Sequence, residues 1–146
     1  MLVSDCLKRK NRELIAVGPD VLVPEAMKLL LTNRISCLPV VDSDRQLIGI
    51  LSDKDIFKRA FEDPHGFTGA AVRDLMTTEV IVGVPQDTLD YIGGVMTKNR
   101  IRHVPILDHR AVVGLISVGD IVSSQLTNFE IENRYLRQYI IDQYPG

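Results

Sequence analysis

Val23, Ala26, Met27, Leu30 and Leu31 recur at i, i+3, i+4, i+7 and i+8, the spacing of an amphipathic helix. Pro24 suits its first turn, where a missing N–H has no partner to lose. The pattern then changes period. Cys37–Val41 and Gln46–Leu51 are β-rich runs flanking Asp42-Ser43-Asp44-Arg45, which reads as a hairpin. Ser52-Asp53-Lys54-Asp55 opens a second helix, with Ile56, Phe57, Ala60 and Phe61 on its apolar side. A short strand, Leu14–Val17, precedes all of this. The predicted unit is β-α-β-β-α.

The unit occurs twice. Ile81–Val84 predicts the short strand, and Asp87–Lys98 the helix, with Asp87 or Thr88 as N-cap. Val104–Leu107 and Ala111–Ile116 form the second hairpin, and Ser117–Leu126 the closing helix. Pro85 and Pro19, Arg100 and Arg34, Pro105 and Pro39, and Asp108 and Asp42 all stand 66 apart. The offset becomes 65 after one deletion in the hairpin, at Gly114 and Gly49, Ser117 and Ser52, and Asp120 and Asp55. Such self-similarity means that two like units bury like faces. The expected division is repeat one over 1–62, a linker over 63–71, repeat two over 72–126 and a tail over 127–146. Val72-Arg73-Asp74-Leu75-Met76-Thr77 leads into repeat two as Val3-Ser4-Asp5-Cys6-Leu7 leads into repeat one. Gly93-Gly94 within a helix suggests close approach by another element. In the tail, Phe129, Leu136, Tyr139, Ile140 and Tyr144 suggest one apolar helical face.

A repeat of about 60 residues is marginal by itself, so the halves are expected to share a core. The fold class is α/β (α+β). A net charge of −2 and a pI near 5.9 leave no electrostatic footprint for nucleic acid. The basic run Lys8-Arg9-Lys10-Asn11-Arg12 reads as a solvated or locally functional patch. No apolar run is long enough for a membrane span and the N-terminus lacks a signal-peptide pattern, so the expectation is a cytoplasmic protein. Cys6 and Cys37 suggest neither a disulfide framework nor a zinc site.

Candidate chemistry lies at the strand-to-helix junctions, Gly49-Ile50-Leu51-Ser52-Asp53-Lys54-Asp55 and Gly114-Leu115-Ile116-Ser117-Val118-Gly119-Asp120. Ser-x-x-Asp is close to a capping box, a purely structural device. A helix N-terminus also welcomes phosphate, and the Asp could accept hydrogen bonds from both hydroxyls of a ribose. Ahead of the strand prolines stand Arg34-Ile35-Ser36-Cys37 and Arg100-Ile101-Arg102-His103. Proline removes a ladder donor and frees nearby backbone to read an adenine edge. Cys37 reads as a small buried hydrophobe in preference to a nucleophile. His103 is either a ligand donor or a strand-edge histidine. His65 and His109 fit no metal spacing, and no GxSxG, Walker A or GxGxxG pattern occurs, so catalysis has little to stand on.

These motifs, with the h-P-V-h-D strand and the VRDLMT lead-in, resemble the CBS domain over roughly residues 1–126, and the tandem resembles a CBS pair, or Bateman module. The resemblance implies two repeats packed through their sheets about a pseudo-twofold axis, usually dimerising into a disc. It implies clefts for adenosine ligands such as AMP, ADP, ATP, NAD or S-adenosylmethionine, with Asp55 and Asp120 on ribose and Ser52 and Ser117 near phosphate. The position three before the strand proline often carries a phosphate-binding base. That is Arg102 in repeat two but Ser36 in repeat one, a departure for the first site. The implied nucleotide-binding set is thus Ser36, Cys37, Ser52, Asp55, Arg102, His103, Ser117 and Asp120. The expected function is a non-enzymatic sensor of an adenine nucleotide, with no required cofactor, acting on an unidentified protein or through a homodimer. The alternatives are a ligand-free scaffold and, behind it, an enzyme using Cys37 or His103. Unequal sites are expected, Arg102 and His103 strengthening the Asp120 site while Lys54 or Arg34 compensates across the pseudo-twofold.

Overall fold

The computed structural model describes residues 1–126; the tail stripe expected over 127–146 lies outside the described residues. The elements are α1 (Val3–Lys10), α2 (Val23–Asn33), β1 (Cys37–Val41), β2 (Leu47–Ser52), α3 (Asp53–Glu62), a 3-10 turn (Phe67–Gly69), α4 (Val72–Leu75), α5 (Leu89–Asn99), β3 (His103–Asp108), β4 (Ala111–Ser117) and α6 (Val118–Gln125). Both hairpins appear as expected, each a two-stranded antiparallel sheet. Leu38 faces Leu51 in one, and Val104 faces Ile116 in the other. Each register slips at the same repeat position, between Val40 and Val41 and between Ile106 and Leu107.

The short strands expected at Leu14–Val17 and Ile81–Val84 shrink to single parallel bridges, Val17 to Val40 and Gly83 to Ile106. Proline explains both limits. The Val17 N–H donates to the Pro39 carbonyl at 3.0 Å and its carbonyl accepts from Val41 N–H at 2.9 Å. One more rung on either side would need an N–H from Pro19 or Pro39, and neither has one. In repeat two Pro85 and Pro105 block the equivalent rungs around Gly83. Four prolines at repeated offsets therefore set the length of these strands.

The expected single core resolves into two clusters with exchanged contributions. Val17, Val23, Ala26, Leu30, Leu38, Val40, Leu51 and Ile56 of repeat one bury Val72, from the lead-in to repeat two. Leu89, Ile92, Met96, Val104, Ile106, Ile116 and Ile121 bury Val3 and Cys6, from the lead-in to repeat one. Backbone bonds fix the exchange at both ends: Val3 N–H to Asp87 carbonyl at 2.8 Å, and Val72 N–H to Val21 carbonyl at 2.8 Å. Each repeat is completed by a segment that precedes the other.

The helix faces depart from expectation at three residues. Ile56 is buried, but Phe57 and Phe61 are 78% and 85% exposed, and Leu31 on α2 is 78% exposed. Once Ile56 faces the sheet, a neighbour and a residue five on are turned away from it. Thr88, not Asp87, caps α5 by accepting the Tyr91 N–H, while the Asp87 carboxylate accepts the Val84 N–H. A Cβ on Gly93 would lie 3.2 Å from Ile121 Cγ2, so close packing explains this glycine; Gly94 has open space.

Candidate functional site

Both junctions form complete capping boxes. Ser52 Oγ accepts the Asp55 N–H at 3.2 Å, and Asp55 Oδ2 accepts the Ser52 N–H at 2.9 Å. Ser117 and Asp120 repeat this at 3.2 and 2.8 Å, with the Ser117 hydroxyl also donating to Asp120 Oδ2 at 3.0 Å. The capping reading of Ser-x-x-Asp thus holds in both copies. One carboxylate oxygen serves the helix start, and the other is left for a second role. The motif glycines have a packing cause. A Cβ on Gly49 would lie 2.7 Å from Met76 Sδ, and one on Gly114 would lie 2.5 Å from Leu7 Cδ2. Each glycine is where an exchanged lead-in crosses the sheet.

Two clefts flank the contact between the repeats. The larger, of about 660 Å³, brings Ser117 and Asp120 together with Arg34, Ser36, Cys37 and His103. It continues into a space of about 490 Å³ walled by Leu14, Ile15, Ile35 and Leu115. The smaller, of about 290 Å³, brings Ser52 and Asp55 together with Cys37, Arg102, His103 and Ile101. Each cleft therefore joins a capped helix start to an apolar wall and to cations. Arg34 and Arg100, at φ 53° and 54°, end α2 and α5 in left-handed backbone and line the larger and the smaller cleft respectively.

The expected assignment of approaches to junctions is reversed. Arg102 lines the Asp55 cleft, where its guanidinium pairs with Asp53 at 2.9 Å, and Ser36 lines the Asp120 cleft. Successive side chains of an extended segment point to opposite sides, so the residue just before β1 or β3 turns away from its own junction towards the other repeat. Arg102 thus stands with the Asp55 cleft and not with the Asp120 cleft. His103 and Cys37 line both clefts, and His103 Nε2 stands 3.0 Å from the Ser36 hydroxyl.

Burial pushes the Cys37 thiol up to about 12, with Asp55 and Asp53 adding to the rise. A protonated thiol is a poor nucleophile, consistent with a packing role. Burial first, then the Arg102 guanidinium, lowers the His103 pKa below its ordinary 6.5. Both effects favour the neutral imidazole.

Lys10 and Thr77 were not among the expected site residues. Lys10 Nζ lies 2.8 Å from Asp120 Oδ2 and 2.8 Å from the Leu115 carbonyl, while Thr77 Oγ1 approaches Asp55 Oδ1 at 3.4 Å. The signal that could have found Lys10 is the basic run Lys8–Arg12, once the lead-ins are known to cross. Among the described residues, no helix is long and apolar enough to cross a membrane.

Comparison with known proteins agrees with this architecture. The CBS domain family model matches residues 3–62 and again 72–126. The chain is 31% identical to CBS domain-containing protein YhcV of Bacillus subtilis (strain 168) over 80% of this chain and 81% of that protein. The CBS domain pair of protein MJ0100, solved with 5'-methylthioadenosine and S-adenosyl-L-methionine, superposes with a TM-score of 0.76 at 29% identity, covering 86% of this chain and 95% of that one. CBSX2, solved in complex with AMP, gives a TM-score of 0.72 at 26% identity, covering 86% and 96%. Two matched domains, two like hairpin units and an exchanged core agree: this chain belongs to the CBS domain family and carries a tandem pair.

Proposed function

We propose that this protein is a non-enzymatic regulatory module that binds adenosine-containing ligands in its two clefts. The observation carrying this reading is the composition of each cleft. A capped helix start offers the positive end of the helix dipole and a carboxylate for hydroxyls, next to an apolar wall suited to a base. The adenosyl ligands in the solved relatives, AMP in one and S-adenosyl-L-methionine with 5'-methylthioadenosine in another, support the same class. Asp55 and Asp120 accept ribose hydroxyls, Ser52 and Ser117 lie near phosphate, Ser36 walls the Asp120 cleft, Arg102 the Asp55 cleft, and Cys37 and His103 both. Binding shifts a conformational or assembly equilibrium, which requires different ligand affinity in the two states. The readout is a separate protein or a homodimer in the cytoplasm.

A second reading, a ligand-free scaffold, is favoured by one observation: Phe57 and Phe61 stand exposed one turn apart on α3, with Leu31 exposed on α2. A thermal-shift panel of AMP, ATP, NAD and S-adenosylmethionine separates the two. A ligand at 100 times its Kd should stabilise the fold by roughly 2.7 kcal/mol. A flat response to all four would leave the scaffold reading. Asp55→Ala and Asp120→Ala should each remove binding at one cleft by titration calorimetry, with circular dichroism checking the fold.

A further inference from the structure

The two lead-ins differ in length, and the difference falls at one cleft. Leu7 and Met76 are equivalent because each packs on the junction glycine of the repeat it crosses. Glu13 and Glu79 are equivalent at the repeat offset, each just before an apolar cleft wall. Between these anchors repeat two has only Thr77-Thr78, whereas repeat one has Lys8-Arg9-Lys10-Asn11-Arg12. The extra residues lengthen α1 to 8 residues against 4 in α4. They also change how the next strand is met. In repeat one the Thr77 N–H donates to the Ile50 carbonyl at 2.9 Å. At the equivalent Leu115 carbonyl, the donor is the Lys10 ammonium at 2.8 Å.

We propose that this insert makes the Asp120 cleft a polyphosphate-selective site, taking a nucleoside di- or triphosphate, while the Asp55 cleft takes adenosyl ligands of lower charge. Lys10 neutralises Asp120, so the carboxylate that meets the sugar does not repel the phosphates. Arg9, Arg12 and Arg34 line the same cleft, and among the described residues none has an ion-pair partner. Counting Glu13 at the far end, four cations there face two carboxylates. In the Asp55 cleft, Lys54, Arg100 and Arg102 face Asp55, Glu79 and the Asp53 that holds Arg102, so three cations meet three carboxylates. Asp55 has a hydroxyl, not a cation, beside it. The volumes point the same way, about 660 Å³ at the Asp120 cleft against about 290 Å³ at the Asp55 cleft.

The assignment of a nucleoside rests on the proposed function, whereas the preference for a phosphate chain does not, and the test separates them. Titration calorimetry compares adenosine, AMP and ATP on the full chain, on Arg9→Gln/Arg12→Gln and on Lys54→Gln/Arg100→Gln. Inorganic tripolyphosphate serves as the base-free probe by thermal shift. Charge-assisted contacts from Arg should give ATP an advantage over AMP of about tenfold or more in the wild type. Arg9→Gln/Arg12→Gln should abolish that advantage and the tripolyphosphate stabilisation, and the Lys54→Gln/Arg100→Gln pair should change it by less than about threefold. Tripolyphosphate stabilisation that needs Arg9 and Arg12, without binding of any adenosine compound, would support the phosphate site and reject the adenosyl reading. An ATP advantage that survives Arg9→Gln/Arg12→Gln, or that falls mainly with Lys54→Gln/Arg100→Gln, overturns the proposal. So does the lack of any ATP or tripolyphosphate preference.

Discussion

The Ser36 hydroxyl and His103 Nε2 meet at 3.0 Å, joining the approach to β1 with the start of β3 across the two repeats. His103 is half-buried, and burial with Arg102 and Lys10 opposes its protonation, while Asp53 and Asp120 favour it. Its pKa in the fold lies below 6.5, so the unfolded chain binds the proton more readily. The stability it contributes is complete above about pH 6.5 and is lost as pH falls through the lowered value. Replacing it with asparagine keeps a partner for Ser36 but removes the titration. Urea unfolding at pH 7.5 and 5.5 should show a smaller drop for His103→Asn than for the wild type. Equal drops would mean that other groups carry the pH dependence.

Gly49 and Gly114 both face a crossing lead-in, but with different freedom. An added methyl at Gly114 would press on the far end of the Leu7 side chain, which can turn aside. At Gly49 it would also lie 3.0 Å from the Thr77 carbonyl, which is held by a bridge to Ile50. Gly49→Ala should therefore destabilise by about 2–3 kcal/mol and Gly114→Ala by about 1 kcal/mol, within the overpacking range. Denaturant midpoints decide it, and a larger shift from Gly114→Ala would refute the ordering.

Val3 and Val72 have no exposed surface, and each is buried in the repeat it does not introduce. Val3→Ala should loosen repeat two and Val72→Ala repeat one, each by roughly 2 kcal/mol. Amide exchange read separately on β3–β4 and on β1–β2 reports which sheet opens first. Loss of protection confined to each lead-in's own repeat would contradict the exchange.

The thiols offer a simple check. Cys37 is pushed up to about 12, and burial raises Cys6 as well. At pH 8 iodoacetamide should label neither at an appreciable rate in the folded protein, and both after denaturation. Rapid labelling of Cys37 in the native state would reopen its reading as a nucleophile.

Much of the architecture was legible because it was written twice. Pro19, Pro39, Pro85 and Pro105 marked the repeat by their offsets, β-rich runs around turn residues marked the hairpins, and Ser52, Asp55, Ser117 and Asp120 marked the helix starts. What escaped the sequence was contact between segments far apart in the chain. Nothing local indicates that Val3 joins the core cluster of Ile116, that Arg102 turns to Asp53, or that Phe57 and Phe61 face outwards while Ile56 faces in. The expectation that Arg102 serves Asp120 allowed exchange across the pseudo-twofold for Lys54 or Arg34 only, whereas strand alternation at a shared boundary turns Arg102 to the other repeat as well.

The crossed lead-ins also carry a topological consequence. A cut within 63–71 would leave two fragments, each holding the wedge that the other lacks, so neither completes its core without the other. By the same logic, a circular permutant opened ahead of Val72 would retain every packing partner, with the order of the two repeats exchanged. Two nascent chains at high concentration could also trade their first ten residues, each seating its wedge in the other's second half. Such an intertwined pair would need no new surface, only the α1 contacts of one chain made between two molecules.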